Sequence, residues 1–175
     1  KGYAATKTRD IAEEAGMNLS LLNYYFRSKE KLFEIVMQEK LQQLFAFISP
    51  VFDQADTSLD EKIDTIAANY IEMLLKNPDL PIFVLSEVKN NPERLGESIR
   101  LETYLLKSHF VRQLAEKKKD INPQQFFISF LGMMVFPFVI KPVLVASGTL
   151  SKEVFNQMME ERKVLIASWM KLMLK

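Results

Sequence analysis

Catalytic chemistry finds few of the side chains it needs in this sequence. His109 is its one histidine, so a two-histidine zinc motif cannot be assembled. The absence of cysteine excludes disulfides, thiolate metal sites and a cysteine nucleophile. Neither a Gly-x-Ser-x-Gly elbow nor a glycine-rich phosphate loop occurs. Glu13-Glu14 and Glu160-Glu161 are sequence neighbours, diverge on a helix and read as solvated faces. No enzymatic activity, cofactor or metal is therefore expected. The segment Leu19–Phe26, LSLLNYYF, offers a different chemistry. Asn23 matches an adenine edge, Ser20 serves either base type, and Leu19 and Leu21 carry apolar surface suited to thymine methyls. The segment holds no cation, so the strong arginine-to-guanine contact is unavailable within it. Affinity would lean on Arg9, Lys29, helix N-termini and duplex shape.

Such side chains act only if a short helix presents them, and the flanking residues provide one. Thr8 is placed to cap a helix with Ile11, Ala12 and Ala15 on its apolar side, and Gly16 to end it in a left-handed turn. Asn18 is placed to cap a second helix, Leu19–Phe26, with Leu22 and Phe26 on one face. Short helices joined by a tight turn containing glycine form a helix-turn-helix, whose second helix is sized for the major groove.

Gly2-Tyr3, Thr6, Thr8-Arg9-Asp10-Ile11-Ala12, Ala15-Gly16, Leu22, Tyr25-Phe26, Ser28-Lys29-Glu30, Leu32 and Phe33 together resemble the TetR (tetracycline-repressor-like) family of bacterial transcriptional regulators. The resemblance covers only the N-terminal part of the chain. It implies base-facing roles for Leu19, Ser20 and Leu21, and phosphate- or groove-contacting roles for Thr8, Arg9, Asn18, Tyr24, Tyr25 and Lys29. Where the family often shows Lys-Gly-Thr-Leu-Tyr, this chain reads Leu19-Ser20-Leu21-Leu22-Asn23, which alters the expected operator but not the expected fold. In the family a further helix precedes the position of Lys1-Gly2-Tyr3, so the chain is expected to begin after it.

Composition agrees with a globular protein: apolar residues are 48% and charged residues 26%, with a formal net charge of +1. A nucleic-acid binder of that balance must concentrate its positive potential locally. Lys1, Lys7, Arg9, Arg27, Lys29 and Lys31 only slightly outnumber Asp10, Glu13, Glu14 and Glu30 at the N-terminus, so charge alone does not point to DNA. No signal peptide is visible, and the lack of cysteine fits a reducing cytoplasm. Phe126–Ile140 carries no charge, but it is shorter than the ~20 residues a spanning helix needs, and Pro137, Lys141 and Pro142 interrupt it. It reads as a buried core or interface helix.

The remaining punctuation predicts helices throughout. Ser28 opens one from Lys29 to about Ile48, with Pro50 just past its end. Ser58-Leu59-Asp60-Glu61 is a capping box, followed by the stripe Leu59, Ile63, Ile66, Ala67, Tyr70, Ile71 and Leu74. A short apolar segment Ile82–Val88 precedes one helix from about Glu93 to Lys118, with Leu95, Ile99, Leu106, Phe110 and Leu114 on its stripe. Asn122-Pro123 opens the most apolar helix, kinked at Pro137 and stopping at Gly148. Ser151 caps the last, with Leu150 placed to staple onto Phe155. That helix carries Val154, Met158, Leu165, Trp169 and Leu172 on one side and Phe155, Met159, Ile166, Met170 and Met173 on the next. A stripe so wide needs a second surface, and a second copy is its simplest source, giving a homodimer through the last two helices.

The expected fold is thus all-α, with a helix-turn-helix DNA-binding domain and connecting helix over residues 1–48 and a helical ligand-binding and dimerisation domain over residues 49–175. Tyr70, Phe83, Tyr104, His109, Phe110, Met133, Met134 and Phe136 are candidates to line an effector pocket, because methionine and aromatic walls adapt to varied shapes. The resemblance implies a small-molecule inducer there, and a repressor released from a palindromic DNA operator by a small apolar effector in the cytoplasm. The competing reading is a helical ligand-binding or scaffold protein without specific DNA binding. An all-α enzyme using His109 or a tyrosine in the apolar cavity stands behind both.

Overall fold

Short polar side chains at Asn18, Ser28, Ser58, Asn122 and Ser151 start helices where the sequence places them. The computed structural model describes residues 5–90, 92–98 and 107–175, and every regular element among them is a helix. The chain forms two compact units, Lys1–Gln42 and Gln43–Lys175, whose boundary falls inside a helix.

In the first unit, α1 (Thr8–Glu14) and α2 (Leu19–Phe26) pack with Ala12 and Leu22 buried. Thr8 is the first residue of α1 and not its cap. Lys7 holds the capping position in extended backbone, and the Asp10 carboxylate accepts its N–H at 3.2 Å. An acid at the third helical position satisfies the donor that a threonine cap would have left free. At the other end Met17 N–H reaches Ala12 O at 2.8 Å and Gly16, at φ 62°, donates to Glu13 O at 3.1 Å, which is the paired closure of a Schellman motif. Asn18 caps α2 by accepting from Ser20 N–H at 2.7 Å. Ser28 then caps α3 (Lys29–Asp53), accepting from Lys31 N–H at 3.1 Å.

α3 runs past its expected end and through Pro50. Proline deletes one helical donor, but Ile48 and Phe52 are buried on either side of it, and Gln54 N–H closes on Pro50 O at 2.9 Å.

The second unit is built on α4 (Leu59–Lys76), which packs chiefly against α9 (Lys152–Leu172). Leu59, Ile63, Ile66, Ala67, Ile71 and Leu74 are buried, as the stripe predicts, while Tyr70 is half-buried. The capping box closes both ways: Glu61 N–H to Ser58 Oγ at 3.2 Å and Ser58 N–H to Glu61 Oε2 at 2.8 Å. Lys163 of α9 pairs with Glu72 at 2.6 Å, and Lys171 with Asp64 at 2.5 Å.

The apolar segment becomes α5 (Leu80–Asn90), followed by α6 (Pro92–Ser98). The single helix expected over Glu93–Lys118 is not formed. A new helix, α7 (His109–Lys117), starts where Ser108 turns to extended backbone and caps it, accepting from Val111 N–H at 3.3 Å. A serine flanked by helix formers competes with the helix through its own hydroxyl. Ile99, Tyr104 and Leu106 lie outside the described residues.

α8 (Pro123–Ala146) opens on the Asn122 cap, ends before Gly148 at φ 72°, and contains both Pro137 and Pro142. Residue 137 would normally donate to Met133 O, and proline cannot. The orphaned carbonyl accepts instead from Arg162 Nε of α9 at 3.2 Å. Lys141 also finds a partner on α9, lying 4.5 Å over the Phe155 ring. Phe126, Phe130, Met134 and Phe138 form the buried side of α8, whereas Ile128, Phe136 and Val143 are exposed. By length and composition α8 could cross a membrane. On α9, Phe155, Met159, Ile166 and Met170 are buried and Val154, Met158, Leu165, Trp169 and Leu172 are exposed, with Met173 joining the exposed set.

Candidate nucleic-acid interface

Successive residues of a helix are ~100° apart, and that spacing sorts the side chains of α2. Leu22 and Phe26 turn towards the interior of the head, Leu22 fully buried and Phe26 half-buried. Leu19 falls beside Phe26 on the same arc and is half-buried. The opposite arc carries Ser20, Leu21 and Tyr24, with Asn23 and Tyr25 on its flanks, all exposed. Tyr24 is 78% and Tyr25 64% accessible, and their rings meet edge-on at 5.4 Å. This outward surface is apolar, hydroxylic and amidic, with no charge.

Its surroundings supply the cations. Arg9 on α1 is exposed, Thr8 beside it is half-buried, and Lys29 opens α3 half-buried. Asn18 spends its side-chain oxygen on the α2 cap, which leaves its amide N–H groups for an outside acceptor. Arg27 joins α2 to α3 at φ 61°, ψ −43°, with Ser28 N–H bonded to Phe26 O at 2.6 Å, a γ-turn centred on a non-glycine residue. Nothing in the sequence announces that turn.

The effector candidates are distributed through the second unit. Phe83, Phe110 and Met134 are buried, and the Phe110 ring packs at a tilt against Phe52 at 5.1 Å and Phe126 at 6.2 Å in a continuous aromatic core. Met133 and His109 are half-buried, and Phe136 lies on the outward side of α8. Desolvation raises the Tyr70 phenol well above its ordinary value. Tyr104 is outside the described residues. An open groove of about 510 Å³ lies between the first turn of α4 and α7, lined by Ser58, Leu59, Asp60, Gln113, Glu116 and Lys117 and by none of these candidates.

Beside that groove sits a polar cluster that the sequence reading missed. Lys62 is only 1% exposed; its ammonium donates to Gln113 Oε1 at 2.8 Å and lies 3.4 Å from His109 Nδ1. Gln113 passes the bond on to Thr57 O at 2.8 Å, and Asp53 at the end of α3 accepts His109 N–H at 3.3 Å. Burial lowers the Lys62 pKa, against the opposing pull of Asp53 and Asp56. The available signal was positional, since Lys62 lies three residues after Leu59 and four before Ile66, on the apolar stripe itself.

The fold and this surface define an all-α protein with a helix-turn-helix at its N-terminus. Residues 1–36 match the family model described as bacterial regulatory proteins, tetR family. A relative from Mycolicibacterium smegmatis, named HTH-type transcriptional repressor KstR2, is 29% identical over 107 residues, covering 54% of this chain and 52% of its own length. A second, from Bacillus subtilis and named Probable HTH-type transcriptional regulator YttP, is 23% identical over 147 residues, covering 79% of this chain and 70% of its own. The chain thus spans about half the length of the first relative.

Proposed function

We propose that this chain is a homodimeric, ligand-responsive transcriptional regulator acting in the cytoplasm as a repressor. The observation that carries the reading is the uncharged outward arc of α2 within a head that matches the tetR family. Thr8, Arg9, Asn18, Tyr24, Tyr25 and Lys29 hold the duplex backbone and groove edges, Ser20, Leu21 and Asn23 meet bases, and Leu19, half-buried beside Phe26, supports the helix from within the head. The uncovered apolar sides of α8 and α9 favour pairing with a second copy, and the repressor named among the relatives favours the negative sign of regulation. Two heads then read a palindrome with half-sites ~34 Å or a multiple apart.

Residues 1–48 act as the DNA-binding part and residues 49–175 as the effector-binding and dimerisation part. An apolar effector accommodated among Tyr70, Phe83, Tyr104, His109, Phe110, Met133, Met134 and Phe136 releases DNA by binding better to a conformation whose heads no longer fit the operator. The test is a gel-shift titration of the chain on its own promoter region across a salt series. Specific binding whose log affinity falls linearly with log salt is expected. Binding indifferent to base sequence would defeat the reading.

A further inference from the structure

The outward arc of α2 contains one side chain that neither phosphate nor base-edge hydrogen bonding uses. Leu21 is 45% exposed, flanked by the Ser20 hydroxyl and the Tyr24 ring, while Leu19 turns back towards Phe26. A lone exposed leucine is unremarkable on most surfaces. Here it sits in the middle of the face that the tetR-family head offers to DNA, on a helix without a cation to read guanine. Among the bases of unmodified DNA, only thymine presents an apolar group in the major groove, its C5 methyl.

We infer that Leu21 is the specificity-determining residue of α2 and reads a thymine C5 methyl in each half-site, so that this head selects T·A pairs by apolar contact. The inference rests on the regulator reading above and sharpens it: of the two leucines in the segment, Leu21 discriminates and Leu19 supports the head. The discrimination it provides differs in kind from phosphate binding. Burying a methyl group against an isobutyl group releases no counterions, so added salt weakens binding as a whole while the preference for thymine stays constant.

The experiment starts from duplexes recovered by selection with the chain from a random-sequence pool. Each thymine in the selected half-site is replaced in turn by deoxyuridine, which keeps every hydrogen-bonding group and removes only the methyl. One position per half-site is expected to lose roughly fourfold in affinity when substituted, and roughly fifteenfold when both half-sites are, from the transfer value of a single methyl group. Leu21→Ala is expected to bind the thymine and uracil duplexes equally, while Leu19→Ala retains the difference. The thymine-to-uracil ratio is expected to be the same at low and high salt.

Selected duplexes that are indifferent to uracil at every position would overturn the role of Leu21 while leaving sequence-specific regulation intact. A uracil effect that survives in Leu21→Ala would do the same. Recovery of no preferred sequence at all would remove the regulator reading together with this one.

Discussion

Arg27 shows how a single backbone angle can set the relation of neighbouring helices. Its positive φ closes the γ-turn between α2 and α3, a conformation that costs an L-residue about 1–3 kcal/mol and costs glycine little. Arg27→Gly is therefore expected to raise the urea midpoint of unfolding, equivalent to up to ~2 kcal/mol of added stability once the greater freedom of glycine in the unfolded chain is deducted. Lys62 presents the opposite case, a cation held inside by its partners. Lys62→Met keeps the stem and removes the charge, but strands Gln113 Oε1, which Lys62 Nζ bonds at 2.8 Å. A loss of about 1–3 kcal/mol in denaturant melts is expected. An equal or higher midpoint would show that the desolvation cost of the ammonium outweighs its bonds.

Between elements, the α8–α9 and α4–α9 contacts depend on a few polar links within broad apolar surfaces. Pro137 empties one backbone site and Arg162 fills it from the neighbouring helix. Arg162→Met is expected to cost about 1–3 kcal/mol, and much less in a Pro137→Ala background, where residue 137 regains the N–H that serves Met133 O. A double-mutant cycle by chemical denaturation measures the coupling. Across α4 and α9, hydrogen bonds from Lys163 and then Lys76 hold the Glu72 carboxyl at about 2. That lies below the ~4.3 of a glutamate in an unfolded chain, so the contribution of Glu72 is present above the unfolded value and lost as pH falls towards the folded one. Glu72→Gln is expected to flatten the stability profile of the chain between those limits and leave its slope at neutral pH unchanged, as read by thermal melts across pH.

For the whole molecule, the decisive surface is the one a single chain leaves uncovered. Leu165 and Trp169 on α9 and Phe136 on α8 are exposed although their types favour burial. For the proposed dimer, Leu165→Glu is expected to turn a dimeric chain into a monomer in sedimentation experiments, with little change in the far-UV helical signal, and to weaken operator binding because paired half-sites no longer act together. A dimer that persists unchanged would move the interface elsewhere. Much of this architecture was legible beforehand. The caps at Asn18, Ser28, Ser58, Asn122 and Ser151, and the left-handed turns at Gly16 and Gly148, are short-range chemistry carried by the residues themselves. The extent of α3 was not, because Pro50 reads as a stop until the burial of Phe52 outweighs it. Nor was the break at Ser108, since a serine inside a periodic pattern looks the same whether it caps or continues a helix.

The chain alone determined where most helices start, the glycine turn after α1 and which side chains form stripes, because caps, glycine turns and 3.6-residue periodicity act over one or two turns. It left open which groups hold Lys62 inside the apolar stripe of α4 and which donor answers the carbonyl orphaned by Pro137. Those outcomes depend on groups distant in sequence, such as Gln113 for Lys62 and Arg162 for Met133, and only folding brings them within bonding distance.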